Sequence, residues 1–426
     1  MKNLITAVLL ISLISCNTKP EKAILQKEDY NKYLHTDKNL SLAEAQKNKD
    51  FWSKRIGEDS TKITGITKLA PVHNDIFNAT GNVEELYVSE KLIKKALSLA
   101  AKNKDDYLRS LAHNYISQHR FKEAKTLLDT AYTYNDNKYA TELMLFDISM
   151  ELGKYKNAEE YLKKIKDNGN YNYLIRLSKW SDYKGNLDGA INYMEKAVKL
   201  AESSGDKSLK VWSYSNLGDF YGHAGRIDDS YNYYLKTLAL DPDNAYAKKG
   251  LAWIAYSFEK DTEEANRILD SVMVNHKSPD YYLLKAEMAE FNNEKTKAEN
   301  YNEKFLTALS ENDYKGMYNA YLIEYYAENN PEKAVELAKE EVNNRATPET
   351  YSLLALAQLK AGNKEEALKA IEQHVEGKTF EPMAQYYSAL VYKANGQKEK
   401  VKPIKEELSG ASYEMGPVLS KKIAQL

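Results

Sequence analysis

The side chains of this chain best suited to chemistry are few: seven histidines and one cysteine. His35, His73, His113, His119, His223, His276 and His374 are scattered, and none stands three or four residues from another, the spacing that sets two zinc ligands on one helical face. Cys16 has no second thiol, so neither a disulfide framework nor a thiolate metal site follows from local spacing. There is no glycine-rich phosphate loop and no Gly-x-Ser-x-Gly elbow. The 62 acidic residues lie mainly among 60 basic ones along helical faces, the pattern of a solvated surface. The expectation is a protein that is not an enzyme and uses no cofactor and no metal.

The chemistry left to Cys16 is acylation. Met1, Lys2 and Asn3 precede an apolar run from Leu4 to Ile14. A membrane-spanning helix needs roughly 20 apolar residues, so the run fits the core of a signal peptide instead. The sequence Leu13-Ile14-Ser15-Cys16 then resembles the lipobox of bacterial lipoproteins. That resemblance implies diacylglycerol on the thiol, cleavage before Cys16, and often a further acyl chain on the freed amine. Two or three chains anchor stably, each buried methylene contributing about 0.8 kcal/mol. Asn17 stands where an inner-membrane retention Asp would be, which favours the outer membrane of a Gram-negative cell. The membrane face stays open, because residues 17–22 hold a single acidic side chain.

The elements that follow are helical. Eighteen Gly and nine Pro are few for 426 residues, and 43% hydrophobic residues supply a continuous core. A net charge of −2 shows no basic excess, so nucleic acid is not expected as a partner. Small residues recur about every 34 positions, at Ala124, Ala158, Ala190, Ser230, Ala265, Ala298, Ala334 and Ala367, with Val401 in the same place. Segment 211–244 places Tyr214, Leu217-Gly218, Tyr221, Ser230, Tyr234 and Pro242 at offsets that resemble the tetratricopeptide repeat; 348–380 is a second good copy. Thr237 departs from the family's third small residue. Gly153, Gly185, Gly225, Gly362 and Gly396 are expected in the turns at positive φ, with Asn293 and Asn329 as substitutes.

The expected fold is all-α, a right-handed superhelical solenoid of about ten such helix-turn-helix repeats. Its plan runs from a signal peptide at 1–15 through the lipidated cysteine and a polar tether at 16–40, with a short helix around 23–34. A capping helix at 41–62, opened by a Ser41/Glu44 capping box, leads into the solenoid at 63–411, and a terminal helix at 412–426 covers the last repeat. Longer loops are expected at 201–208 and 300–314.

The resemblance also implies that the first helix of each pair lines a concave groove. Its groove offsets fall on Lys179, Tyr183, Trp212, Asp219, His223, Lys249, Trp253, Tyr256, Glu287 and Phe291. Aromatic rings beside charges suit recognition, and equally suit packing between repeats. The functional expectation is a non-catalytic, lipid-anchored scaffold of the cell envelope whose partners are envelope proteins or their peptide segments. Its rival is a lipoprotein that captures a glycan or small nutrient for an outer-membrane transporter.

Overall fold

A computed structural model of the chain describes residues 23–34, 37–57, 61–134 and 136–426. Cys16, the signal peptide 1–15 and the start of the tether lie outside them. Among the described residues there is no strand. Helix Leu40–Ile56 precedes ten helix pairs: 63–80 with 84–99, 104–117 with 121–133, 138–151 with 155–164, 171–183 with 187–204, and 207–223 with 227–240. The series continues as 245–258 with 262–275, 280–291 with 295–311, 319–329 with 331–344, 348–360 with 364–374, and 382–394 with 398–410. From Leu40 on, each helix packs on its successor, except that 295–311 stands away from 319–329. The small residues of the repeat explain why: Ala124, Ala158, Ala190, Ser230, Ala265, Ala334 and Ala367 have no exposed surface, so backbones meet there. Ala298 alone of the set is partly exposed.

All five turn glycines take positive φ, as does Asn293. Asn329 does not. It ends helix Asn319–Asn329, and Asn330 caps the next helix, which starts at Pro331. Two other local expectations fail for capping reasons. Helix Leu40–Ile56 is capped by Asn39, whose side chain accepts from the Leu42 amide, while the Ser41 hydroxyl donates to Asp241. The expected loops are mostly helix. Helix Leu187–Ser204 is longer than its neighbours and is stopped by Gly205, after which Asp206 caps Lys207–His223; helix Lys295–Glu311 runs through most of 300–314.

The coil closes on itself. The amide of Lys277 donates to the Thr80 carbonyl at 2.8 Å, and Tyr87 donates to the Asp313 carbonyl. Val83 and Leu86 of the first pair share a buried cluster with Phe305, Tyr314 and Tyr318. One layer further along, Gly153 lies so close to Ala346 that a Cβ on it would stand 2.4 Å from the Ala346 carbonyl oxygen. Asn344 donates to the His119 carbonyl and Lys122 to Asn343 beside it.

Both ends of the described chain dock on the middle of the coil. Residues 23–34, expected as free tether, lie across the second helices 227–240 and 262–275. Tyr30 is fully buried there, with Leu25 and Leu34 beside it. Glu259 accepts from the amides of Ile24 and Leu25, and Glu264 accepts from the Tyr30 hydroxyl at 2.7 Å and pairs with Lys27. Ser271 donates to the Leu34 carbonyl. The apolar stripe that does this, Leu25, Tyr30 and Leu34, is too short to stand out among polar residues. At the other end, helix Ser412–Ala424 is broken at Gly416, with φ 73° and ψ 165°. Its second half covers the last pair, with Ile423 buried against that pair's core. Its first half reaches back across the concave face.

Candidate functional site

The concave surface is built by first helices whose inner residues sit one helical turn apart, so that neighbouring repeats set their polar side chains side by side. Closure turns that surface into a chamber of about 480 Å³ between the pairs 138–204 and the segment 345–414. Lys179 and Tyr183 line it from one wall, Arg345, Glu349, Phe380 and Glu381 from the other, and His223 and Glu414 from its floor.

The charges of the chamber do not cancel. Lys179 Nζ lies 2.8 Å from Glu151 and Arg345 is 3.5 Å from the same carboxylate, so both cations are already paired. Burial alone would raise the Glu151 carboxyl, but Lys179 and Arg345 outweigh it and hold the group low. Asp182, Glu349, Glu381 and Glu407 form no salt bridge among the described residues, and Glu414 has only His223 at 4.0 Å. Glu381 is pushed up to about 7, first by removal from bulk water and then by Asp182, Glu349 and Glu414. Asp182 is raised by the same burial.

A second cavity of about 340 Å³ shares Tyr155, Tyr183 and Phe380 with the first and is aromatic. Tyr155 stacks on Tyr183 at 4.1 Å, and Tyr351 stacks on His374 at 3.8 Å. Phe380 packs on Gly185, where a Cβ would meet its ring at 2.8 Å, and yet leaves 57% of its surface exposed. Lys184 and Lys378 stand at this cavity's wall.

The groove residues expected from the repeat offsets therefore separate into groups. Lys179, Tyr183 and His223 line the chamber. Trp253, Tyr256 and Glu287 meet the C-terminal segment instead: Trp253 Nε1 donates to the Tyr413 carbonyl, and Tyr256 donates to Glu287 at 2.9 Å beside Gly416. Burial first, and Glu290 in addition, push the Glu287 carboxyl up to about 7 against the lowering effect of the Tyr256 bond. Phe291 packs edge-on against Tyr256. Asp219 and Lys249 are engaged locally, Asp219 accepting from Tyr234 and Tyr246 and Lys249 pairing with Asp280. Trp212 stands apart, 44% exposed beside Tyr171. Arg345, Glu349, Phe380 and Glu381 lie outside the groove offsets because they sit in or next to loops between pairs. Only closure of the coil brings them in.

The description "Tetratricopeptide repeat" fits residues 171–204 and 213–244, so the chain carries repeats of that type there. No curated protein matches the chain. Among solved structures it is similar to PilW, a widely conserved type IV pilus biogenesis factor, at 17% identity and TM-score 0.39, over 50% of this chain and 97% of that one. It is similar to PilF of Pseudomonas aeruginosa at 16% and 0.36, over 49% and 97%. It is also similar to the human IFIT1 dimer with m7Gppp-AAAA at 16% and 0.48, over 78% and 77%. No helix among the described residues is long and apolar enough to cross a membrane.

Proposed function

We propose that this protein is a non-catalytic scaffold, anchored in the cell envelope through lipid on Cys16, that holds a cationic segment of a partner protein in its concave chamber. Tetratricopeptide repeats stack into extended concave surfaces suited to protein interaction, and the chain carries such repeats. The observation that carries the finer reading is the charge imbalance. Four carboxylates without cations, beside the rings of Tyr155, Tyr183 and Phe380, offer a Lys or Arg side chain both a counter-charge and aromatic faces. The lipid anchor is supported by the lipobox-like residues at 13–16, and outer-membrane placement by Asn17.

The test is binding of a labelled Lys/Arg-rich octapeptide and its Asp/Glu counterpart to the full chain. The basic peptide should bind, with affinity falling as salt rises. The pair Asp182→Asn and Glu381→Gln should weaken it about tenfold, roughly 1.4 kcal/mol. Equal binding of the two peptides would sink the reading. The aromatic cavity is the feature that favours the rival, capture of a glycan ring. Thermal stabilisation by neutral oligosaccharides, with no response to the basic peptide, would put capture first. For the anchor, Cys16→Ser should move the protein from the membrane to the soluble fraction.

A further inference from the structure

The concave face of the central repeats is already occupied by a segment of the chain itself. The Tyr413 carbonyl accepts from Trp253 Nε1 at 3.1 Å and from Ser257 Oγ at 2.5 Å. The Tyr413 ring rests on Gly222, where a Cβ would meet it at 2.8 Å. Three residues on, Gly416 passes between Glu287 and the Trp253 ring so closely that a Cβ would stand 2.8 Å and 3.0 Å from them. Its φ of 73° is also one that favours glycine. Met415, Pro417 and Val418 are buried around it, and Lys422 reaches Glu290 at 3.0 Å. Ser257 is presented by a π-helical turn, Ile254–Phe258, that ends the first helix of its pair. Such turns re-aim side chains and recur at functional sites.

A segment that only covered the last repeat would need none of this. Residues 418–426 do that work, through Leu419, Ile423 and Leu426. Residues 412–417 instead fill three features of the groove: two donors aimed at one main-chain carbonyl, a flat platform at Gly222, and a narrow gap between Trp253 and Glu287 taken by a glycine whose positive φ disfavours a side chain. We propose that this seat is a peptide-binding site held in cis by 412–417, and that its partner is a protein segment of the same chemistry, an aromatic residue followed three residues later by Gly-Pro. Binding of that partner displaces the internal segment, so the seat's apparent affinity is lowered by the fraction of molecules in which it is filled. The proposal rests on the concave surface being a partner site, and it does not depend on the cationic chamber.

The probe is a fluorescent peptide of residues 411–418. The unaltered full chain should bind it weakly. Gly416→Val, which strains the backbone at a φ of 73° and crowds Trp253 and Glu287, should expel the internal segment and bind the peptide at least tenfold more tightly. Adding Trp253→Ala should remove that gain. A Gly416→Val chain that keeps its helical melt and binds no more tightly overturns the proposal. A second measurement needs no variant: hydrogen exchange of the unaltered chain should show 412–417 opening more readily than 245–275. Exchange of 412–417 only with global unfolding overturns it as well. A seat that binds the peptide in a protein indifferent to basic peptides would leave this site standing and remove the cationic chamber.

Discussion

The indole nitrogen of Trp253 donates a hydrogen bond to the backbone carbonyl of Tyr413, 160 residues later in the chain. The bond ties the last helix to the inner face of the central repeats. On the opposite face of the same pair, Glu259 and Glu264 hold residues 24–30. Both ends of the described chain thus converge on one helix pair, 245–275.

Trp253→Phe keeps a ring in place and removes one donor, while Ser257 still serves the Tyr413 carbonyl. The expected loss is about 1 kcal/mol, the net worth of a typical hydrogen bond. Trp253→Ala also opens a cavity and should cost about 3 kcal/mol or more. Urea unfolding checks both, and equal losses would mean that the ring contributes nothing.

Glu264 is held at about 2, below its ordinary 4.5, although burial would raise it; bonds from Arg267, Lys27 and Tyr30 outweigh the burial. A depressed carboxyl stabilises above its unfolded value and loses that contribution as pH falls from about 4.5 to 2. At about 1.4 kcal/mol per unit this is on the order of 3 kcal/mol. Glu264→Gln should release residues 24–34 to hydrogen exchange at neutral pH and flatten the acid limb of stability. An unchanged exchange pattern would show that the buried Leu25, Tyr30 and Leu34, with the Glu259 and Ser271 bonds, hold the segment without Glu264.

Glu287 and Glu381 act in the opposite sense, since both are raised to about 7. Their folded form favours the proton, so stability should rise as pH falls from about 7 toward 4.5 and be lost as pH rises through 7. The buried histidines His113, His119 and His276, whose pKa values burial lowers, oppose this on acidification, so the expected outcome is a difference between variants. In thermal melts, going from pH 8 to 5.5 should favour the unaltered chain more than Glu287→Gln. Glu381 opens onto water in the chamber, and its share is correspondingly smaller.

Gly153→Val tests closure of the coil. Its φ of 67° disfavours a side chain, and the Ala346 backbone beyond it has no rotamer with which to move aside. The variant should stay helical by circular dichroism while its radius of gyration in solution scattering increases. A helical variant of unchanged size would mean that the other closing contacts, 80–277, 87–313, 119–344 and 122–343, suffice to close the coil.

The tyrosine excess, 34 against 9 phenylalanines, is partly explained by packing. Tyr30, Tyr214, Tyr221, Tyr234, Tyr256 and Tyr387 all donate to carboxylates, at Glu264, Glu202, Glu195, Asp219, Glu287 and Glu324. A phenol fills an apolar gap and satisfies an acid at its edge, which phenylalanine cannot do. The repeat positions Tyr214, Tyr221 and Tyr234 were legible from spacing, whereas their carboxylate partners were not. Those partners lie on other helices at no fixed offset.

The sequence by itself determined the helices, their pairing and most of the turns. Those depend on contacts within one repeat or between neighbours, and such contacts recur with the period of the chain, as at Ala124, Ala190 and Gly225. Tertiary structure alone decided that the coil closes at Gly153 and Ala346, that residues 23–34 are docked, and that Tyr413 fills the groove beside Trp253. Closure is the sum of many small rotations between repeats, so no single repeat encodes it. The docked ends are held by unique pairs, such as Trp253 with Tyr413 and Glu264 with Tyr30, and a unique pair leaves no periodic trace in a sequence.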